Sequence, residues 1–390
     1  MMRKPAEIEQ AFLDILKEDS DRDEIRQRIG NFSSAYQQEL GALALKSRLP
    51  AIFYSRLLKL GLEDILPEFN LRLKNQCLVN LEINARLEGE LKKVISWLKK
   101  NDIPAIPLKG PILAVFLYDS LAFRQASCDL DLLVQEERVD EAQKKLSEIG
   151  YNFFRDYPKP AFLRAFEREI SLQRKIGPRR VAIDLHWGFK DRFISAHIAS
   201  FWSNARDINI DGQQVLFPVL EDLLLYLVLA AIYRFSFVEI KYLYDIHTLI
   251  TKFGAGIAWD AVADKARQSE LNTALYFVLD MCRDLFATQI SKELLESLRP
   301  PLLKETVCRL WINRANILRR DYKIASSYGW RVFANSYLYS NGILRSMNKI
   351  FSIVFPSMEK VMGEYGRPLS EVSYRLYLKR LLKPIMRFEL

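Results

Sequence analysis

At residue 101 the chain changes its hydrophobic period, and that change limits the fold more than any other feature. Residues 1–100 read as helix. The stretch NLRLKNQCLVNLEINARLEGELKKVISWLKK, 70–100, keeps apolar residues at helical spacing with almost no breaker. From 101 to 190 the pattern becomes short apolar runs cut by Gly and Pro: IPAIPL, PILAVFLY, LDLLV, then an amphipathic stretch with Val139, Ala142, Leu146 and Ile149 closed by Gly150. Such punctuation predicts strand, helix, strand, helix. Two more strands are expected in EISLQRK, 169–175, and VAIDLHW, 181–187, separated by GPR, and RDINIDGQQVLF predicts a hairpin about Asp211-Gly212. From 219 onward the period is helical again. The reading is an α+β chain: a small mixed-sheet core at 101–217, N-terminal helices at 1–100 and a larger C-terminal helical domain at 218–390.

A chain of 390 residues has room for two or three structural units. Its 49% hydrophobic and 27% charged residues are those of a globular protein and argue against extensive disorder. The longest apolar run, LLLYLVLAAIY at 223–233, is too short for a membrane span, and the first residues lack the apolar core of a signal peptide. No transmembrane segment and a cytoplasmic location are therefore expected. Cys77, Cys128, Cys282 and Cys308 have no metal-ligand spacing and read as reduced, mostly buried thiols. The net charge of +9 is concentrated at 301–390, where 16 Lys and Arg face 6 Asp and Glu among Trp311, Tyr322, Tyr328, Trp330, Tyr337, Tyr339, Tyr374 and Tyr377. Those charges are dispersed among aromatics with packing spacing, so this segment reads as a helical platform and not as a sequence-specific nucleic-acid reader.

Within CDLDLLV, 128–134, alternation puts Asp129 and Asp131 on one strand face with Leu133, and Leu130, Leu132 and Val134 on the other. Two carboxylates about 6 to 7 Å apart along a strand call for a positive neighbour. Asp184 in VAIDLHW repeats the pattern, sharing its face with Ala182 and His186 while Val181, Ile183, Leu185 and Trp187 face away. In LKGP, 108–111, a strand runs into a helix with Gly110 at the N-cap and Pro111 at the first helical position. A helix start with free N–H groups favours phosphate, and Lys109 adds a charge beside it. Lys109 is read here as an exposed turn lysine that contributes little to the core. Hard divalent cations take carboxylate oxygens together with substrate phosphates, so three acids and a phosphate-binding turn point to Mg²⁺ or Mn²⁺ and a nucleotide.

LKGPILAVFLYDSLAFRQASCDLDLLV followed by IDLHW resembles a family of uncharacterised bacterial nucleotidyltransferases within the superfamily typified by DNA polymerase beta. The resemblance implies a nucleotidyltransferase core, with Asp129 and Asp131 holding the metals, Asp184 as the third carboxylate, either the general base that activates the acceptor or a third metal ligand, and Lys109 and Gly110 facing the triphosphate of an NTP. The superfamily's Gly-Ser turn is Gly110-Pro111 here, so no turn hydroxyl is present and Lys109 or Arg124 would take over its phosphate contact. Gly110 lies 19 residues before Asp129, and Pro107 favours an edge position for the first strand. The implied acceptor is a small molecule, a sugar or a protein.

Other residues carry alternatives. His186 could donate to Asp184, contact phosphate or position the acceptor, or be held by neighbouring backbone. Arg124 could bind phosphate bidentately or form a salt bridge to the acid cluster. Trp187 reads as core, Glu221-Asp222 as helix N-terminal charge, and Tyr242, Lys241 and Asp245 as candidates for the helical side of the cleft. His197 and His247 have no supporting motif. Two functions of different class stand: an enzyme transferring a nucleoside monophosphate with release of pyrophosphate, and a non-catalytic module that binds nucleotide or protein on the same fold.

Overall fold

The computed structural model describes residues 4–153, 168–189, 192–210, 212–233 and 239–319. Four helices open the chain: α1 (Lys4–Leu16), α2 (Arg22–Gly30), α3 (Ser34–Lys46) and α4 (Pro50–Leu60). Their ends follow from their sequence. Asp21 accepts the Asp23 and Glu24 amides at the start of α2, Ser33 caps α3, Pro50 occupies the first turn of α4, and Gly61 in the left-handed region closes it. The long breaker-free stretch becomes one 34-residue helix, α5 (Pro67–Lys100).

The period change then produces β1 (Ala105–Pro107), α6 (Pro111–Tyr118), β2 (Asp129–Val134), α7 (Val139–Glu148) and β3 (Asn152–Phe153). β4 (Glu169–Ile176) and β5 (Arg179–His186) follow as a hairpin. The five strands form one mixed sheet in the order β1-β2-β5-β4-β3, in which β2 and β5 run parallel and the other pairs antiparallel. β1 is an edge strand, where Pro107 removes no internal ladder bond. After α8 (Arg192–Asn204), β6 (Arg206–Ile210) and β7 (Gln213–Phe217) make a separate two-stranded ribbon. Asp211 of its turn lies outside the described residues; Gly212 has φ 78°.

Helices return as α9 (Leu220–Tyr233), α10 (Ile240–Phe253), α11 (Trp259–Gln268), α12 (Asn272–Phe286), α13 (Lys292–Leu298), α14 (Leu302–Arg309) and α15 (Arg314–Arg319). A single cluster of buried apolar side chains runs from Ile8 to Leu318, so the sheet and the helices on both sides of it share one core. Phe116 of α6 packs on Phe217 of β7 and Phe253 of α10, with ring centroids 4.9 and 4.7 Å apart, and so ties ribbon, core and helical side together. Glu221 and Asp222 do more than favour a helix dipole: Glu221 accepts the Ala258 amide, and buried Asp222 pairs with Lys265. Most of the basic segment expected to be a platform, including Tyr322 to Tyr377, lies outside the described residues; Trp311 is buried.

Candidate active site

The site is set by strand register. Parallel pairing of β2 with β5 places Asp131 opposite Asp184, Asp129 opposite Ala182 and Leu133 opposite His186. Register partners share a sheet face, so all three acids and His186 fall on one side. β4 extends the row, with Ser171 opposite Asp184 and Glu169 opposite His186. Every residue of β2 is buried; one face meets the apolar core, and on the acid side Tyr226 of α9 lies within electrostatic range of Asp131.

The turn before α6 sits beside this face. Gly110 is the N-cap residue at φ 78°, ψ −138°, a region that favours glycine, and a Cβ placed there would stand 3.7 Å from the Asp129 carbonyl oxygen. Pro111 occupies the first helical position, as the sequence indicated. The Leu108 amide donates to the Asp131 carbonyl at 2.9 Å, which fixes the turn against β2.

Lys109 departs from the sequence reading. It is not an exposed turn lysine: its side chain is only 17% exposed, and its Nζ lies 2.8 Å from Asp131 Oδ1. The reason is non-local. Tyr226 of α9 and Tyr242 of α10 close over the turn, and both hydroxyl groups fall within electrostatic range of the ammonium. Burial opposes its charge, but the partners outweigh burial and hold the amine protonated above its ordinary range. Removing Lys109 must therefore disturb the fold as well as any ligand.

Asp131 also receives His186, whose Nε2 is 3.0 Å from the same Oδ1, while His186 Nδ1 faces Glu169 at 3.4 Å. His186 is thus placed between Asp131 and Glu169, and the expected donation to Asp184 is replaced by these two contacts. Asp131 Oδ2 is buried and, among the described residues, has no hydrogen-bond partner. Burial disfavours ionised Asp131, yet Lys109 and His186 hold its carboxyl well below the usual range. Asp129 accepts a hydrogen bond from the Ser127 hydroxyl. Asp184 behaves in the opposite sense: burial and the Asp129 and Asp131 carboxylates raise it above its ordinary value, and the Ser171 hydroxyl offsets this only in part.

Arg124 is brought into the same neighbourhood but points elsewhere. Its guanidinium is buried against Asp245 of α10, with Nε 3.1 Å from Oδ2 and 3.2 Å from Oδ1, and one terminal nitrogen 2.9 Å from Oδ2. The Tyr118 hydroxyl completes the group, donating to Asp245 Oδ1 at 2.8 Å. Arg124 does form a salt bridge, though to Asp245 and not to the strand acids. The loop that carries it, 119–128, is held to α5 by Asn84, which donates to the carbonyls of Leu121 and Arg124, and by Asn80, which donates to Ala122 and accepts from the Ala126 amide. Trp187 is buried, as read.

The sequence reading missed Ser171, Glu169 and Tyr226. Ser171 and Glu169 were recoverable by folding the two predicted strands about Gly177-Pro178, which pairs 171 with 184 and 169 with 186. Tyr226 carried a weaker signal, a hydroxyl inside a Leu-rich run that must find a partner when buried. A cleft of about 720 Å³ lies away from the acids, lined by His247, Thr288, Trp259, Asp14 and Arg28. Among the described residues no helix is long and apolar enough to cross a membrane; Cys77, Cys282 and Cys308 are buried and Cys128 is exposed.

No curated protein and no solved structure matches the chain. A family model described as uncharacterised nucleotidyltransferase matches residues 33–287, from the N-cap of α3 to the C-cap of α12, and so takes in the whole sheet, Lys109, the three acids and Asp245. That match covers more than half of the chain, which therefore belongs to the uncharacterised nucleotidyltransferase family.

Proposed function

We propose that the chain transfers a nucleoside monophosphate from an NTP to an acceptor hydroxyl, phosphate or protein side chain and releases pyrophosphate, on a core of the DNA polymerase beta type. The observation that carries this is the register of β2 and β5, which lines up Asp129, Asp131 and Asp184 on one covered face beside a glycine-started helix. In this reading Asp184 takes the acceptor proton. Its raised pKa suits a base that must bind a proton in the transition state, and Ser171 holds one of its oxygens in place. The amides at the start of α6 and in the Gly110 turn, where no side chain intervenes, donate to phosphate oxygens.

The donor set fits a hard divalent cation. Asp131 Oδ2 is a buried carboxylate oxygen with no hydrogen-bond partner among the described residues, and the Asp129 carboxylate lies on the same strand face. Among the described residues no three His, Cys, Asp or Glu side chains form a ready-made cage, which accords with Mg²⁺ or Mn²⁺ taking two carboxylates and completing its shell with phosphate oxygens and water. Bound to Asp129 and Asp131, such an ion supplies countercharge to the phosphates. Buried thiols and an NTP substrate suit a cytoplasmic location.

A second reading rests on one observation: the Lys109 ammonium already neutralises Asp131. A non-catalytic module would keep that pair and bind nucleotide or protein without a cation. Incubation with each labelled NTP and Mg²⁺ or Mn²⁺, against a lysate, separates the two. Label transferred to protein, sugar or nucleic acid supports the enzyme; tight nucleotide binding that excess chelator leaves unchanged, with no label transferred, supports the module.

A further inference from the structure

A triphosphate needs countercharge, and both cations that the sequence offered for it are taken up. Lys109 is paired with Asp131 and Arg124 is doubly bonded to Asp245. Arg124 cannot turn to a phosphate without leaving buried Asp245 with Tyr118 alone, a loss of several kcal/mol as a rule, and Lys109 could do so only by leaving Asp131 to His186.

Lys241 is differently placed. It follows Glu239, the N-cap of α10, and its ammonium lies 4.6 Å from the centre of the Tyr242 ring. The Tyr242 hydroxyl in turn stands within electrostatic range of both Lys109 and Arg124, so Lys241 borders the covered acid face. The nearest carboxylate to Lys241 is Glu239, at 3.7 Å, and Arg48 approaches the same oxygen only to 3.8 Å. Both gaps exceed a hydrogen bond, and among the described residues Glu239 Oε2 has no hydrogen-bond partner. Three cations, Arg48, Arg124 and Lys241, thus meet two acids, Glu239 and Asp245, with one pair saturated and the other loose. A cluster with surplus positive charge and a lysine 22% exposed at its edge is built to receive an anion.

We propose that Lys241 contacts the polyphosphate of the nucleotide, supplying the charge that Arg124 cannot. This rests on the nucleotidyl-transfer reading and adds the residue that makes affinity depend on phosphate number. Burial first, then repulsion from Arg124 and Arg48, lowers the Lys241 amine to about 8, against the pull of Glu239 and Asp245. The amine is charged below that pH and neutral above it, so nucleotide affinity should fall as pH rises through about 8.

The test is calorimetric titration of the full chain, with Mg²⁺, first against ATP, GTP, CTP and UTP and then against the di- and monophosphate of the tightest binder. Lys241→Met should lose about 10- to 100-fold in affinity for the triphosphate, the range of a charge-assisted hydrogen bond, and little for the monophosphate. Lys241→Arg should restore most of it, and the fall in affinity above pH 8 should be absent from Lys241→Met. Melting curves check that the variants fold, and the pH profile of Lys241→Met is read against that of the wild type. A Lys241→Met protein that binds mono-, di- and triphosphate as wild type does overturns this inference and leaves the transfer reading standing. Wild-type protein that binds no NTP at all sinks both.

Discussion

Two buried carboxylates, Asp131 and Asp245, each meet a buried cation, and they are built differently. Asp245 is saturated: Arg124 grips both oxygens and Tyr118 adds a third donor. Asp131 is lopsided. Lys109 and His186 both contact Oδ1, while among the described residues Oδ2 has no hydrogen-bond partner. A planar guanidinium on a carboxylate is a clamp that fixes geometry, whereas a single ammonium on one oxygen leaves the other free for a ligand. The difference teaches how one fold can hold both a rigid frame and an exchangeable site.

Asp184→Asn gives the largest expected effect. The amide keeps the shape and cannot take a proton, so single-turnover transfer should fall by about 10² to 10⁴ while melting and nucleotide affinity stay near wild type. Near-normal turnover would remove Asp184 from the chemistry. Arg124→Ala comes next: it strands Asp245 in the core and should cost about 3–5 kcal/mol in urea unfolding, with no added cation restoring it. Lys109→Ala should cost less, about 1–3 kcal/mol, because Asp131 keeps His186 and its position beside a possible cation. Mg²⁺ or Mn²⁺ should then raise the melting temperature of Lys109→Ala and leave that of Arg124→Ala unchanged. Equal losses in the two variants, or equal rescue, would erase the distinction between clamp and exchangeable site.

The smallest effect is on pH. Asp131, held low, contributes stability that is present above the unfolded value of about 3.9 and lost as pH falls through its lower folded value. Asp184, held high, is protonated before an ordinary carboxyl would be, and that uptake favours the folded state. On acidification, transfer should therefore fail before the fold does, with the activity midpoint above the ordinary carboxylate value. Parallel rate and near-ultraviolet circular dichroism profiles check this; coincident midpoints would count against it.

What the sequence showed well was local. The period change at 101, the alternation in CDLDLLV and VAIDLHW, and the Gly-Pro helix start each encode an element within a few residues, and each element is where it was expected. What it hid was pairing at long range. Arg124 meets Asp245, 121 residues on, and only the packing of α10 against the loop decides that the guanidinium turns from the strand acids. Lys109 looked exposed because turns usually are; α9 and α10, more than a hundred residues later, bury it. The row Asp131, Asp184, Ser171 needed the β2–β5 register, which no single strand carries. The two-residue β3 gave no readable signal.

Asn80 and Asn84, one helical turn apart on α5, hold the loop before β2 mainly through its main-chain atoms. Grip on the backbone is indifferent to side-chain identity. In a saturation mutagenesis screen, Leu121, which is not part of the apolar core, should accept more replacements than Asn80 or Asn84, while Ala122 and Phe123, packed against that core, should not. The restraint on the loop would then be written about forty residues upstream, in a helix with no chemistry of its own.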